Sequence, residues 1–196
     1  MKDSIIEHAE RLQCQAHEVI RELKIIEIWK AYGAQARLVG SLSTGLLIKK
    51  RDIDFHVYSE RFSISDSFGA IALIASNRSI KKVTYNNLID TEEKCIEWHL
   101  WFLDEENNEW QIDIIHIHNE SPYAGKFENV AERIKTVLTP ELKLAILSIK
   151  NEIPDTVKVM GIEVYQAVIR DGIRNYNDFM LWREKNHQEG IIDWMP

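Results

Sequence analysis

Hydrophobic positions along the chain change period twice. From about Asp3 to Tyr32, the residues Ile5, Ala9, Leu12, Ala16, Val19, Leu23 and Ile26 recur at spacings of four and three. This is the stripe of an amphipathic helix, with a break expected near Leu23 and a stop at Gly33. From Arg37 to Ile117 the pattern shortens towards alternation. Strands are expected over 37–40, 52–58, 80–85, 95–103 and 110–117, with a helix over 65–76. The last two strands read as a hairpin across the polar loop Asp104-Glu105-Glu106-Asn107-Asn108-Glu109. After Ser121-Pro122 helical spacing returns, over 127–137, 140–152, 159–171 and 176–185. Thr139 is placed to cap the second of these helices, with Pro140 at its first position. The pattern predicts an α+β chain in two parts: a sheet unit with an N-terminal helix over 1–120, and a helical region over 121–196. The N-terminal stripe is barely three heptads long and contains alanines. Packing against its own sheet is therefore expected over a coiled coil, and a homodimer stays open.

Two segments carry candidate chemistry. Leu38-Val39-Gly40-Ser41 reads as a strand ending in a Gly-Ser turn, and Arg51-Asp52-Ile53-Asp54-Phe55 opens the next strand. Strand side chains alternate faces, so Asp52 and Asp54 share one face and Ile53, Phe55 and Val57 the other. Neighbouring carboxylates repel each other unless a cation lies between them, and a hard divalent ion such as magnesium suits oxygen ligands. The turn offers backbone N–H groups and a hydroxyl to phosphate oxygens. Trp110-Gln111-Ile112-Asp113-Ile114-Ile115-His116 is a third strand-like run with one embedded acid. If its strand neighbours the second, Asp52, Asp54 and Asp113 converge as a ligand set for two ions roughly 3.5–4 Å apart.

This arrangement of Gly-Ser, a spacer of about ten residues, Asp-apolar-Asp and a later apolar-Asp-apolar strand, over Ala36 to Ile117, resembles the DNA polymerase beta-like nucleotidyltransferase superfamily. The resemblance implies a small mixed sheet with helices on one side and two magnesium ions, with manganese as a substitute. It implies transfer of a nucleoside monophosphate from a triphosphate, ATP or another NTP, to an acceptor hydroxyl with release of pyrophosphate. Carried over by position, Gly40 and Ser41 would hold the triphosphate, Asp52 and Asp54 would bind both metals, and Asp113 would bind the catalytic one and help deprotonate the acceptor. A lysine from a helix after the sheet is expected at the triphosphate. Lys143 and Lys150, two turns apart on one helix, both qualify, and Lys143 is taken into the candidate set with Arg51. Arg51 precedes Asp52, and strand alternation would aim it at the opposite face.

Composition narrows the partners. The formal net charge is −7, which argues against a broad nucleic-acid-coating surface and favours a small-molecule acceptor over a polymer. Cys14 and Cys95 are the only cysteines and stand in no CxxC pair, consistent with thiols in a reducing cytoplasm. The N-terminus lacks an apolar signal core, and no apolar run suits a membrane span. Glu97 and Glu109 are rival third acids. His56 shares the face of Asp54 and reads as a structural histidine. His99, His116 and His118 have no zinc-ligand spacing. Trp98, Trp101 and Trp110 read as cross-strand packing. The competing function is an antitoxin-like or regulatory module that binds a protein partner.

Overall fold

A computed structural model describes residues 2–186 and 192–196, with side chains from Ser4 onward. The N-terminal stripe forms α1 (Lys2–Leu23) and α2 (Ile25–Ala31), separated at Lys24, which adopts a left-handed conformation with φ of 50°. The break shifts the helical register. Ile25 and Trp29 are buried in place of Ile26, which stands on the surface. The chain continues as β1 (Ala34–Val39), α3 (Gly40–Ser43), β2 (Asp52–Ser59), α4 (Ile64–Ala75), β3 (Ile80–Leu88), β4 (Cys95–Leu103) and β5 (Glu109–Ile117). Four helices follow: α5 (Lys126–Val137), α6 (Pro140–Glu152), α7 (Gly161–Ile169) and α8 (Tyr176–Asn186). Thr139 caps α6 by accepting a hydrogen bond from the Leu142 N–H.

The architecture is α+β. Five strands form one mixed sheet in the order β1-β2-β5-β4-β3. β2 and β5 are parallel, and the other neighbours are antiparallel. Alternation sends Ile53, Phe55, Val57, Ile112, Ile114, Trp98, Leu100 and Phe102 to one face. There they pack against Leu12, Ala16, Val19 and Leu23 of α1, Trp29 of α2 and Ala70, Ile71 and Ile74 of α4. α1 therefore covers its own sheet. A second apolar cluster joins α5, α6, α7 and α8 to Leu46 and Ile48 of the α3–β2 loop and to Ala9 of α1. The N-terminal helix thus contributes to both clusters and ties the helical region to the sheet. Among the described residues, no helix is long and apolar enough to cross a membrane.

Candidate active site

The other sheet face carries the polar chemistry. Register places Asp54 opposite Asp113, and Asp113 in turn opposite His99. Asp52 stands opposite Gln111. Adjacent strands lie about 4.8 Å apart, so two parallel strands bring all three acids onto one patch. Burial raises the Asp54 carboxyl to about 7, reinforced by the charges of Asp113 and Asp52 and opposed by that of Lys150. Burial also raises Asp52, against the pull of Lys50. A group of like charges that cannot all ionise comfortably suits a hard cation with oxygen ligands, and the donor set fits one.

Asp113 is held from both sides. His99 Nδ1 lies 2.7 Å from Asp113 Oδ1, and Gln111 Nε2 donates to both carboxylate oxygens at 2.9 and 3.1 Å. Of the rival acids, Glu97 also faces the cleft, 3.8 Å from His99 Nε2. Glu109 is exposed at the start of β5. A further group, Glu93 in the turn before β4 with Cys95 and Glu97 at the start of that strand, brings its ligand atoms within 4.8 Å of one another.

The Gly-Ser turn rests directly on these acids. Gly40 has φ of +66°, a conformation natural to glycine. A Cβ there would meet the Asp54 carboxyl, 2.8 Å from Cγ. Ser41 Oγ accepts a hydrogen bond from Lys150 Nζ at 2.9 Å and lies 3.1 Å from the Tyr165 hydroxyl. Lys150 Nζ also donates to the Leu46 carbonyl at 2.7 Å. Together these residues line a cleft of about 590 Å³ between the sheet face and the helices. Lys49 and Lys50 border it. Lys49 is engaged with Asp155 and the Ile153 carbonyl at the end of α6.

Two candidates lie elsewhere. Arg51 does not line the cleft; its guanidinium sits over the Trp110 ring, 5.8 Å from the centroid. Trp110 is buried on the helix-covered face, so the alternation that projects Asp52 into the cleft turns Arg51 away. Lys143 is also absent from the lining, and its Nζ lies near Gly45. Two helical turns span seven residues and about 10 Å, so only Lys150, one end of this pair, reaches the turn.

The histidines separate as well. His56 lines the cleft with its Nδ1 3.3 Å from Glu128 Oε1 of α5. His116 is buried on the opposite face against the rings of Trp29 and Phe62, and burial lowers it to about 4. Gln111 and Tyr165 are site residues that sequence reasoning missed. Gln111 was legible through its alternation with Asp113, whereas no local signal marks Tyr165.

Comparison with known proteins defines the class. The sequence model described as nucleotidyltransferase domain matches residues 22–169, and the chain belongs to that family. No curated protein matches it. Among solved structures, the complex of the non-canonical poly(A) polymerase GLD-2 with GLD-3 is similar at a TM-score of 0.54 and 9% identity, covering 84% of this chain and 57% of that one. A structure of Cid1, described by its RNA terminal uridylyl transferase activity, gives 0.57 and 13%, covering 85% and 51%. The GLD-2/RNP-8 complex gives 0.54 and 10%, covering 98% and 74%. The chain spans little more than half the length of the first two. At these identities the likeness shows the shared fold.

Proposed function

We propose that the protein transfers a nucleoside monophosphate from a nucleoside triphosphate to an acceptor hydroxyl and releases pyrophosphate. One observation carries the reading: parallel pairing sets Asp54 beside Asp113 while the Gly40–Ser41 turn packs onto Asp54. A phosphate-binding turn and a carboxylate cluster then share one cleft. Asp52 and Asp54 would hold two divalent cations, magnesium by preference, and Asp113 one of them. Such ions supply neutralisation of triphosphate charge and acidification of the acceptor hydroxyl. The chain's own residues position the reactants. Ser41 and Lys150 bind the triphosphate. Asp113, fixed by His99 and Gln111, accepts the hydroxyl proton.

The acceptor we favour is a small molecule. The net charge of −7 and the presence of Glu97 beside the His99–Asp113 pair disfavour a polyanion near the acceptor end. An RNA acceptor is the second reading, supported by the RNA enzymes among the structural relatives. Mass spectrometry distinguishes them. A metabolite extract incubated with protein, magnesium and each NTP should contain a product heavier by one nucleotidyl group. Extension of RNA oligonucleotides alone would transfer the reading to RNA, and modification of neither would contradict it.

A further inference from the structure

Ser41 sits at the meeting point of three chain segments. A serine hydroxyl has one proton to donate and two lone pairs that accept. The Lys150 ammonium, which has no lone pair, occupies one of them at 2.9 Å. The Tyr165 hydroxyl, buried in α7 and 124 residues away in sequence, stands 3.1 Å from the same oxygen. If Ser41 donated to the phenol, its proton would be used and it would present only a lone pair to the cleft. If the phenol donates, both lone pairs of Ser41 are filled and its proton must turn into the cleft. A phenol is the more acidic hydroxyl and the better donor, and a phosphate oxygen selects the same arrangement. Lys150 completes the set: of its three N–H groups, one serves Ser41 and one the Leu46 carbonyl, which leaves the third for an anion.

We infer that Tyr165 is a positioning residue for the triphosphate: its phenol donates to Ser41 Oγ and, together with Lys150, turns the single serine proton towards the phosphate. The inference rests on the triphosphate-binding reading of this cleft. It makes the helical region part of the phosphate site, because α6 supplies Lys150 and α7 supplies Tyr165. Gly161, the first residue of α7, makes room for this contact. A Cβ there would lie 3.1 Å from Tyr165 Oη and 3.6 Å from Ser41 Oγ.

The test is a double-mutant cycle read by calorimetric titration. The probes are the four ribonucleoside triphosphates and inorganic tripolyphosphate, each with magnesium, and thermal unfolding is recorded for every variant. Tyr165→Phe keeps the ring and removes the donor. It should weaken both the bound nucleotide and tripolyphosphate on the order of tenfold, the range of one hydrogen bond to a charged group. Ser41→Ala should cost a similar or larger factor, and Tyr165→Phe should add less than about twofold in that background, because coupled residues are not additive. Gly161→Ala gains helix propensity but sets a methyl 3.1 Å from Tyr165 Oη, two effects of opposite sign, so its unfolding temperature should stay close to that of wild type. It crowds the phenol and should still weaken both probes, which keeps the inference testable if Tyr165→Phe is poorly folded. Wild-type affinity in Tyr165→Phe or Gly161→Ala, or independent losses in the double variant, would overturn the positioning role while the triphosphate site stands. A wild-type protein that binds none of the probes would overturn the underlying reading and the inference with it.

Discussion

Replacing Gly40 by alanine perturbs the contact on which the site depends. Two costs can be separated. The first is conformational: φ of +66° in a residue with a Cβ costs about 1–2 kcal/mol. The second is steric. The new methyl would lie 2.8 Å from Asp54 Cγ and closer still to Oδ2, so the carboxyl or the turn must move. Forced repacking of this kind costs about 1–3 kcal/mol, giving a total of about 2–5 kcal/mol. Gly33→Ala provides the control, because Gly33 has φ of +71° and an added Cβ would meet nothing within 4 Å. It should show the conformational cost alone. For a chain of this size, each kcal/mol shifts the unfolding temperature by about 2–4 °C. Gly40→Ala should therefore melt about 4–20 °C below wild type, and below Gly33→Ala. Magnesium-dependent triphosphate binding, followed by calorimetry, should fall at least tenfold in Gly40→Ala only. Equal melting temperatures for the two variants, with wild-type affinity in Gly40→Ala, would refute the claim that the turn is built on Asp54.

Further expectations follow from the same geometry. In metal-free protein, the Asp54 carboxyl is raised from its ordinary 3.8 to about 7. Between those values the folded state keeps a proton that the unfolded chain has lost. The Asp54 contribution to stability, read by urea unfolding in chelator as the difference between wild type and Asp54→Asn, should therefore fall as pH rises from about 4 to about 7, by up to about 4 kcal/mol. The difference is needed because buried His116, lowered to about 4, acts in the opposite sense over part of that window. A difference between wild type and Asp54→Asn that does not change with pH would show that Asp54 ionises freely in the fold. Lys150→Met should lower triphosphate affinity at least tenfold in the same calorimetric titration, whereas Lys143→Met should leave it within about twofold; the reverse order would restore Lys143 as the phosphate ligand.

What could be read from the sequence was local. Asp52, Asp54 and Asp113 stand in strands of strong β-formers, where a period of two fixes the face without knowledge of the partner strand. The same rule pointed Arg51 away from the cleft, and its guanidinium does lie over Trp110. Boundaries were less legible at the sheet edges. β1 begins at Ala34 rather than 37, because Ala34-Gln35-Ala36 has little β-propensity and is held by pairing with Val57, Tyr58 and Ser59. β3 extends to Leu88 because pairing with β4 carries Asn86 and Asn87, residues that otherwise favour turns. The break expected near Leu23 falls at left-handed Lys24, but the register shift it brings was not legible, so Ile26, counted in the stripe, stands on the surface. The contacts that complete the proposed phosphate cradle, Ser41 with Lys150 and Tyr165, join residues 109 and 124 positions apart. No periodicity reports such pairs; only the docking of the helical region against the sheet brings them together.

The most direct test of the central claim is calorimetric titration of the four ribonucleoside triphosphates, with and without magnesium, into the wild type and the double variant Asp52→Asn, Asp54→Asn. The wild type should bind at least one triphosphate in a magnesium-dependent manner. The double variant should bind none, yet remain folded and, without the repelling acids, be at least as stable near neutral pH in chelator. Equal binding by the two proteins, or binding that ignores magnesium, would contradict the assignment of these carboxylates as the metal and nucleotide site.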